Sequence, residues 1–245
     1  ILSLTLLSFA PNALAQGKVD QPVAQPLVTL IALSALALVP ILLMMMSSFV
    51  KIGVVLALLR TALGTQQIPP NQVITSLAII LTLYVMAPVA TQAYKNAESV
   101  INQTSTDSML SQATLGLARD ALKKAQEPMR DFLKRNTSGE TAQQFLQLAR
   151  DMRKTEEEKK SISRDDFLVL VPSFVVSELA RAFQIGFMIF LPFLVIDMVV
   201  ANILLSLGMF QLSPITVSLP FKLLLFVMVK GWYLLSHALV SSYAK

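Results

Sequence analysis

The chain of 245 residues has no cysteine, one histidine and one tryptophan. The missing cysteines exclude disulfides and thiolate metal sites. The lone His237 stands near the end of an apolar run with no partner close in sequence, a setting more often structural than catalytic. No HExxH, GxSxG, Walker or dinucleotide-binding pattern occurs. The chain therefore reads as a non-enzyme without metal or cofactor. No basic patch is interleaved with aromatics, which argues against nucleic acid as a partner. Charge is also scarce over most of the length. Residues 95–166 hold 25 of the 35 charged side chains, and the rest of the chain carries only ten.

What is present is hydrocarbon. Hydrophobic residues make up 54% of the chain, and the mean hydropathy is +0.63. A bilayer solvates such stretches, whereas water solvates the charged window, so the pattern is that of a membrane protein with one water-exposed insert. The net charge of +5 does not come mainly from the insert, which has 13 Lys and Arg against 12 Asp and Glu. It comes from the apolar parts, where Lys51, Arg60, Arg181, Lys222 and Lys230 outnumber Glu178 and Asp197.

Residues 1–15 read as the apolar core of a secretory signal peptide ending in Ala13-Leu14-Ala15, or else as a loosely attached apolar arm. A Pro-spaced linker over 16–26 follows. Apolar runs extend over 27–63, 73–93, 167–207 and 215–239. The second and fourth each fit one crossing, and the first and third are longer, with Pro40, Pro172 and Pro192 able to bend or break them.

The halves echo each other. Leu63-Gly64, followed by Pro69-Pro70 and Val73, aligns without gaps to Leu207-Gly208, followed by Pro214 and Val217. In each, Gly stands where a helix takes a left-handed cap and Pro where the next helix begins. The fold class is thus all-α. Two repeated hairpins, 27–94 and 167–245, each consist of a long bent helix, a Gly/Pro turn and a shorter helix, and they flank a helical insert over 95–166. Two hairpins put both termini and the insert on one side. With a signal sequence that side is extracytoplasmic. The insert is long enough for the positive-inside rule to lose its hold.

Within the insert, Leu115, Ala118, Leu122, Ala125, Met129, Phe132 and Leu133 fall on one helical face. Phe145, Leu146, Ala149 and Met152 mark a second amphipathic helix, and Ser163 with Asp166 resembles an N-cap for the third apolar run. Ionisable groups in lipid are costly, so Lys51, Glu178, Arg181, Asp197 and Lys222 are expected to make intersubunit or buried polar contacts. Glu178 and Arg181, three apart on one helix face, could pair, and bonding between subunits is the preferred reading for these two, Asp197 and Lys222. Met209 and Phe210 form a bulky apolar pair in a turn, suited either to packing or to narrowing a pore.

Several ordered blocks carry a resemblance. Ser48-Phe49-Val-Lys51-Ile, Leu58-Leu-Arg60-Thr-Ala-Leu-Gly64, Pro69-Pro-Asn-Gln-Val73 and Met86-Ala-Pro-Val89 lie in the first half. Glu178-Leu-x-x-Ala182-Phe-Gln-Ile-Gly-Phe187, Leu191-Pro-Phe-Leu-Val-Ile-Asp197 and Leu219-Pro-Phe-Lys222-Leu-Leu-Leu-Phe226 lie in the second. Together they resemble the FliP/SctR family, core export-gate proteins of type III secretion systems. Ser213-Pro, Thr216, Ser218-Leu-Pro220, Asn202 and Tyr94 are closer to its injectisome members, while a leader peptide is more typical of the flagellar branch; the injectisome branch is favoured.

The resemblance implies a homopentamer in the bacterial inner membrane, joined by FliQ/SctS-like and FliR/SctT-like subunits. Unfolded secreted proteins pass through its centre. It also implies a methionine-rich gasket after the Leu-Gly turn, which here reads Met209-Phe210-Gln211 and matches only at Met209. The family's Asp before Gly-Trp is Lys230 here. The residues taken alone leave a second reading open, a small-solute secondary transporter built from two repeated halves.

Overall fold

The computed structural model describes residues 24–65, 69–101 and 112–244. The expected signal peptide and most of the linker lie outside the described residues. All regular structure among those residues is helical, and no strand occurs. The all-α expectation is met. The chain divides into two units, Ile1–Leu42 and Leu43–Lys245. In the first, helix α1 (Ala24–Met45) is apolar, with Leu30, Ile31, Leu33 and Leu36 all well exposed. It continues through Pro40. The first long run is interrupted instead at Ser47, whose hydroxyl donates to the Met44 carbonyl at 2.8 Å and accepts from the Phe49 amide at 3.3 Å. A serine that bonds its own backbone offers the chain an alternative to the helical ladder.

The second unit is built around two helices. In α2 (Phe49–Ala62), Ile52, Val55, Leu56, Leu59 and Ala62 recur at three- and four-residue spacing and are all buried. Helix α7 (Phe167–Ser206) runs 40 residues without interruption, passing through Pro172 and Pro192. At ~1.5 Å per residue it is roughly 60 Å long. The second apolar helix of the first half, α3 (Asn71–Ile101), continues into the charged window. The insert forms α4 (Gln112–Asn136), α5 (Gly139–Asp151) and the short α6 (Glu156–Ser161). The fourth apolar run divides into α8 (Pro214–Met228) and α9 (Gly231–Ser241), bent by 59°. The pair passes as one span only if that bend lies within it. The cause of the bend is local: Lys230 has φ 53°, the left-handed region that costs a side chain about 1–2 kcal/mol. At Gly231 an added Cβ would lie 2.1 Å from the Phe226 ring, so only glycine admits that ring.

Helices α2, α4, α5 and α8 all pack on α7. One buried cluster joins α2, α3, α7, α8 and α9 through residues such as Leu56, Ala78, Phe193, Phe226 and Leu239. A second joins the insert to the apolar helices through Val89, Phe132, Leu133, Leu170 and Phe174. At Gly186 a Cβ would stand 2.3 Å from Leu58 Cδ1 and 3.2 Å from Leu58 Cβ, which marks the close approach of α7 to α2. Within the insert, Phe132 and Leu133 are buried, but Leu122 is 60% exposed and Met152 78%. The cap of α7 is Asp166 rather than Ser163. Its carboxylate accepts from the Ser163 amide at 2.7 Å.

Most of the hydrocarbon is left uncovered. Helices α3 and α7 are long and apolar enough to cross a membrane, yet only 22% and 17% of their most apolar windows are buried. Counting each bent pair as one span gives up to four. Surfaces this apolar need lipid or other protein against them.

Candidate functional site: buried ion pairs and an exposed turn

The structure gathers five of the seven charges of the apolar parts into two clusters. Glu178 in α7 is fully buried. One carboxylate oxygen accepts from Arg181 Nη1 at 2.8 Å, and the other lies 3.5 Å from Lys51 Nζ of α2 and accepts from the Tyr243 hydroxyl. Arg181 Nη1 also donates to the Asn136 carbonyl at the end of α4, at 2.8 Å. Lys51 Nζ sits 3.6 Å above the Tyr243 ring, so the cation has an anion on one side and a π face on the other. Burial, reinforced by the Glu178 carboxylate, raises the Tyr243 hydroxyl above the ordinary tyrosine value and keeps it a donor.

The second cluster ties α7 to α8. Asp197 Oδ2 accepts from Lys222 Nζ at 2.6 Å, and Oδ1 accepts from Ser218 Oγ at 2.5 Å. Ser218 and Lys222 are one helical turn apart, so a single face of α8 presents both donors. Lys222 Nζ also lies 3.7 Å from the Cβ position of Gly64, beside the first Gly/Pro turn. Each of the five charges singled out in the sequence thus has a partner inside this chain. Sequence reasoning missed Ser218 and Tyr243. The four-residue spacing to Lys222 could have indicated Ser218, but nothing local marks Tyr243.

Both turns open on a glycine in the left-handed region. Gly64 has φ 75° and Gly208 has φ 69°. After α7 the Gly208 amide donates to Leu205 and the Met209 amide to Leu204, the paired bonds of a Schellman cap. Pro214 then starts α8, while the carbonyl of Pro70 receives the first amides of α3. Met209 is 47% exposed and Phe210 78%, and Gln211 is exposed beside them. His237 stacks on Tyr233 at 5.9 Å. Among the described residues no group of His, Asp and Glu is arranged to hold a metal. The geometry offers cross-links and an exposed apolar tip.

Comparison with known proteins gives this arrangement its context. The FliP family model matches residues 32–239, most of the chain and both apolar halves. The chain belongs to the FliP family. Its relatives include secretion and flagellar proteins. Yop proteins translocation protein R of Yersinia pestis is 48% identical over 216 residues, covering 87% of this chain and 94% of the relative. Hypersensitivity response secretion protein HrcR of Ralstonia nicotianae is 42% identical over 210 residues, 85% of this chain and 93% of the relative. Flagellar biosynthetic protein FliP of Bacillus subtilis is 42% identical over 216 residues, 87% of this chain and 90% of the relative.

Proposed function

We propose that this chain is a subunit of the protein-export gate of a type III secretion system, in the injectisome branch. The observation that carries the reading is 48% identity to Yop proteins translocation protein R over nearly the full length of both chains. The flagellar relative from Bacillus subtilis and the secretion protein HrcR both stand lower, at 42%. The gate is a homopentamer assembled with FliQ/SctS-like and FliR/SctT-like subunits in the bacterial inner membrane, with the insert and termini on the periplasmic side. The uncovered apolar faces of α3, α7 and α8 are the surfaces that neighbouring copies, partner subunits and lipid cover. Unfolded secreted proteins pass through the centre of the ring.

The subunit works without chemistry. The two buried ion clusters fix the angles between α2, α7, α8 and the end of the insert, so each copy presents the same shape to its neighbours. Closure falls to the turn at Met209, Phe210 and Gln211, where exposed apolar side chains from each copy converge and exclude water and ions from the closed pore.

Native mass spectrometry of the detergent-purified chain, alone and co-expressed with the two partner proteins, tests this reading. A five-fold ring that gains mass with the partners is expected. A monomer or dimer indifferent to them, with solute uptake by the chain alone, would replace the gate with a transporter.

A further inference from the structure

Where the insert meets the apolar helices there is a cleft of about 390 Å³, lined by Lys51, Arg135, Asn136, Arg181, Gln184 and Tyr243 among others. The lining bears three positive charges and no negative one. Glu178 beneath it, bonded to Lys51 and Arg181, offsets one. Arg135 is exposed and forms no hydrogen bond or ion pair among the described residues. Arg181 spends Nη1 on both Asn136 and Glu178, which leaves Nη2 and Nε to donate elsewhere. Asp131, one turn before Arg135, lines a neighbouring hollow with Lys134 and Arg135 and pairs with neither; Lys134 is bonded to Asp165 at 2.8 Å. The cleft thus retains excess positive charge and unused guanidinium donors.

Its surroundings are unlike those of a site for a soluble anion. From Arg181, one face of α7 continues as Ile185, Met188 and Val195, with Leu191 at its edge; the next charge along the helix, Asp197, is turned away from that face toward α8. Met188 is 71% exposed, Leu191 44% and Val195 58%. A cationic cleft at the polar end of an exposed apolar stripe matches an amphiphile with an anionic head. Guanidinium forks suit phosphate oxygens, and cationic groups at a membrane surface attract anionic lipid head groups.

We propose that this cleft binds the phosphodiester head group of an anionic phospholipid, held by Arg135 and Arg181, with the acyl chains along the α7 stripe. Lys51 supplies long-range attraction from below while remaining paired to Glu178. The site requires the chain to meet a membrane and does not depend on its being an export gate.

The test is native mass spectrometry of the full-length chain in mild detergent, titrated with short-chain phosphatidylglycerol, short-chain phosphatidylcholine or inorganic phosphate. Phosphatidylglycerol is expected to form a saturable one-to-one adduct, phosphatidylcholine a much weaker one, and inorganic phosphate little competition. Loss of one charge-assisted contact in Arg135→Gln should weaken phosphatidylglycerol about tenfold. Gln184→Glu, which adds a negative charge at the rim without removing a partner, should weaken it in the same direction. Both variants should keep the helical circular-dichroism spectrum and midpoint of the unsubstituted protein. Equal retention of both lipids would overturn the proposal, as would displacement of phosphatidylglycerol by equimolar phosphate. So would a variant that binds phosphatidylglycerol normally but fails to join partner subunits, which would assign the cleft to a protein carboxylate.

Discussion

Lys51 Nζ lies 3.5 Å from Glu178 Oε2, with the two side chains 3% and 0% accessible. Charges buried this deeply stabilise a fold only as a set, because the cost of taking each out of water is offset only while its partner remains. Glu178 is also the acceptor for Tyr243 and Arg181, so its removal strands three donors. Glu178→Ala is expected to destabilise the detergent-purified chain by about 3–5 kcal/mol. The double variant Lys51→Met, Glu178→Leu should cost less than the two single changes added together. Thermal-unfolding midpoints of Glu178→Ala and of the four proteins of the Lys51→Met, Glu178→Leu cycle check this, and strict additivity would show that the two residues do not interact.

The α7–α8 link makes a sharper prediction, because its geometry is simpler. Asp197→Ala leaves Lys222 buried beside the Gly64 turn without its anion, and Lys222→Met leaves Asp197 with Ser218 alone. The coupling between the two substitutions should be at least about 1.5 kcal/mol. Asp197→Ala should be the worse single change, since Lys222 is 3% accessible and Asp197 28%. A double-mutant cycle on protease resistance in detergent measures both quantities.

Gly186 sets how closely α7 approaches α2. Gly186→Ala places a methyl group 2.3 Å from Leu58 Cδ1, and the Leu58 Cβ at 3.2 Å limits how far that side chain can retreat. The expected loss is about 1–3 kcal/mol, as for overpacking elsewhere. Leu58→Ala in the same protein should recover part of it, because it removes the atoms the methyl group meets. If the double variant were less stable than Gly186→Ala, the contact would not be the cause.

The turn after α7 should matter to closure and not to folding. Met209 and Phe210 are exposed, so replacing both with alanine should change the unfolding midpoint little. In an assembled gate the same double variant should leak small molecules, read as dye or ion flux across proteoliposomes. Leakage equal to that of the unsubstituted gate would remove the turn from the closure mechanism.

The contrast between strong and weak sequence signals explains how much could be read in advance. The all-α class and the family were legible because apolar runs, turn chemistry and ordered motif blocks are local properties. Ser47, Lys230 and Asp166 show the limit. A serine bonding its own backbone, a lysine in the left-handed region and a cap displaced by three residues each depend on what the neighbouring segments leave room for. Pro40, Pro172 and Pro192 carry the strongest local tendency to break a helix, yet the helices run through all three.

By itself the sequence determined where water and where hydrocarbon must lie, that the regular elements are helices, and that the chain is a FliP-family protein. Hydropathy, periodicity and ordered motifs act over a few residues to a few tens, and they survive without coordinates. The three-residue spacing of Glu178 and Arg181 already indicated their pairing, but the tertiary structure alone decided which charges far apart in the chain meet. Lys51 meets Glu178 and Tyr243, and Asp197 meets Ser218 and Lys222, because α2, α8 and the C-terminal residues come to lie along α7. A buried ion pair is stable only at contact distance, and contact between residues far apart in the chain is a property of packing.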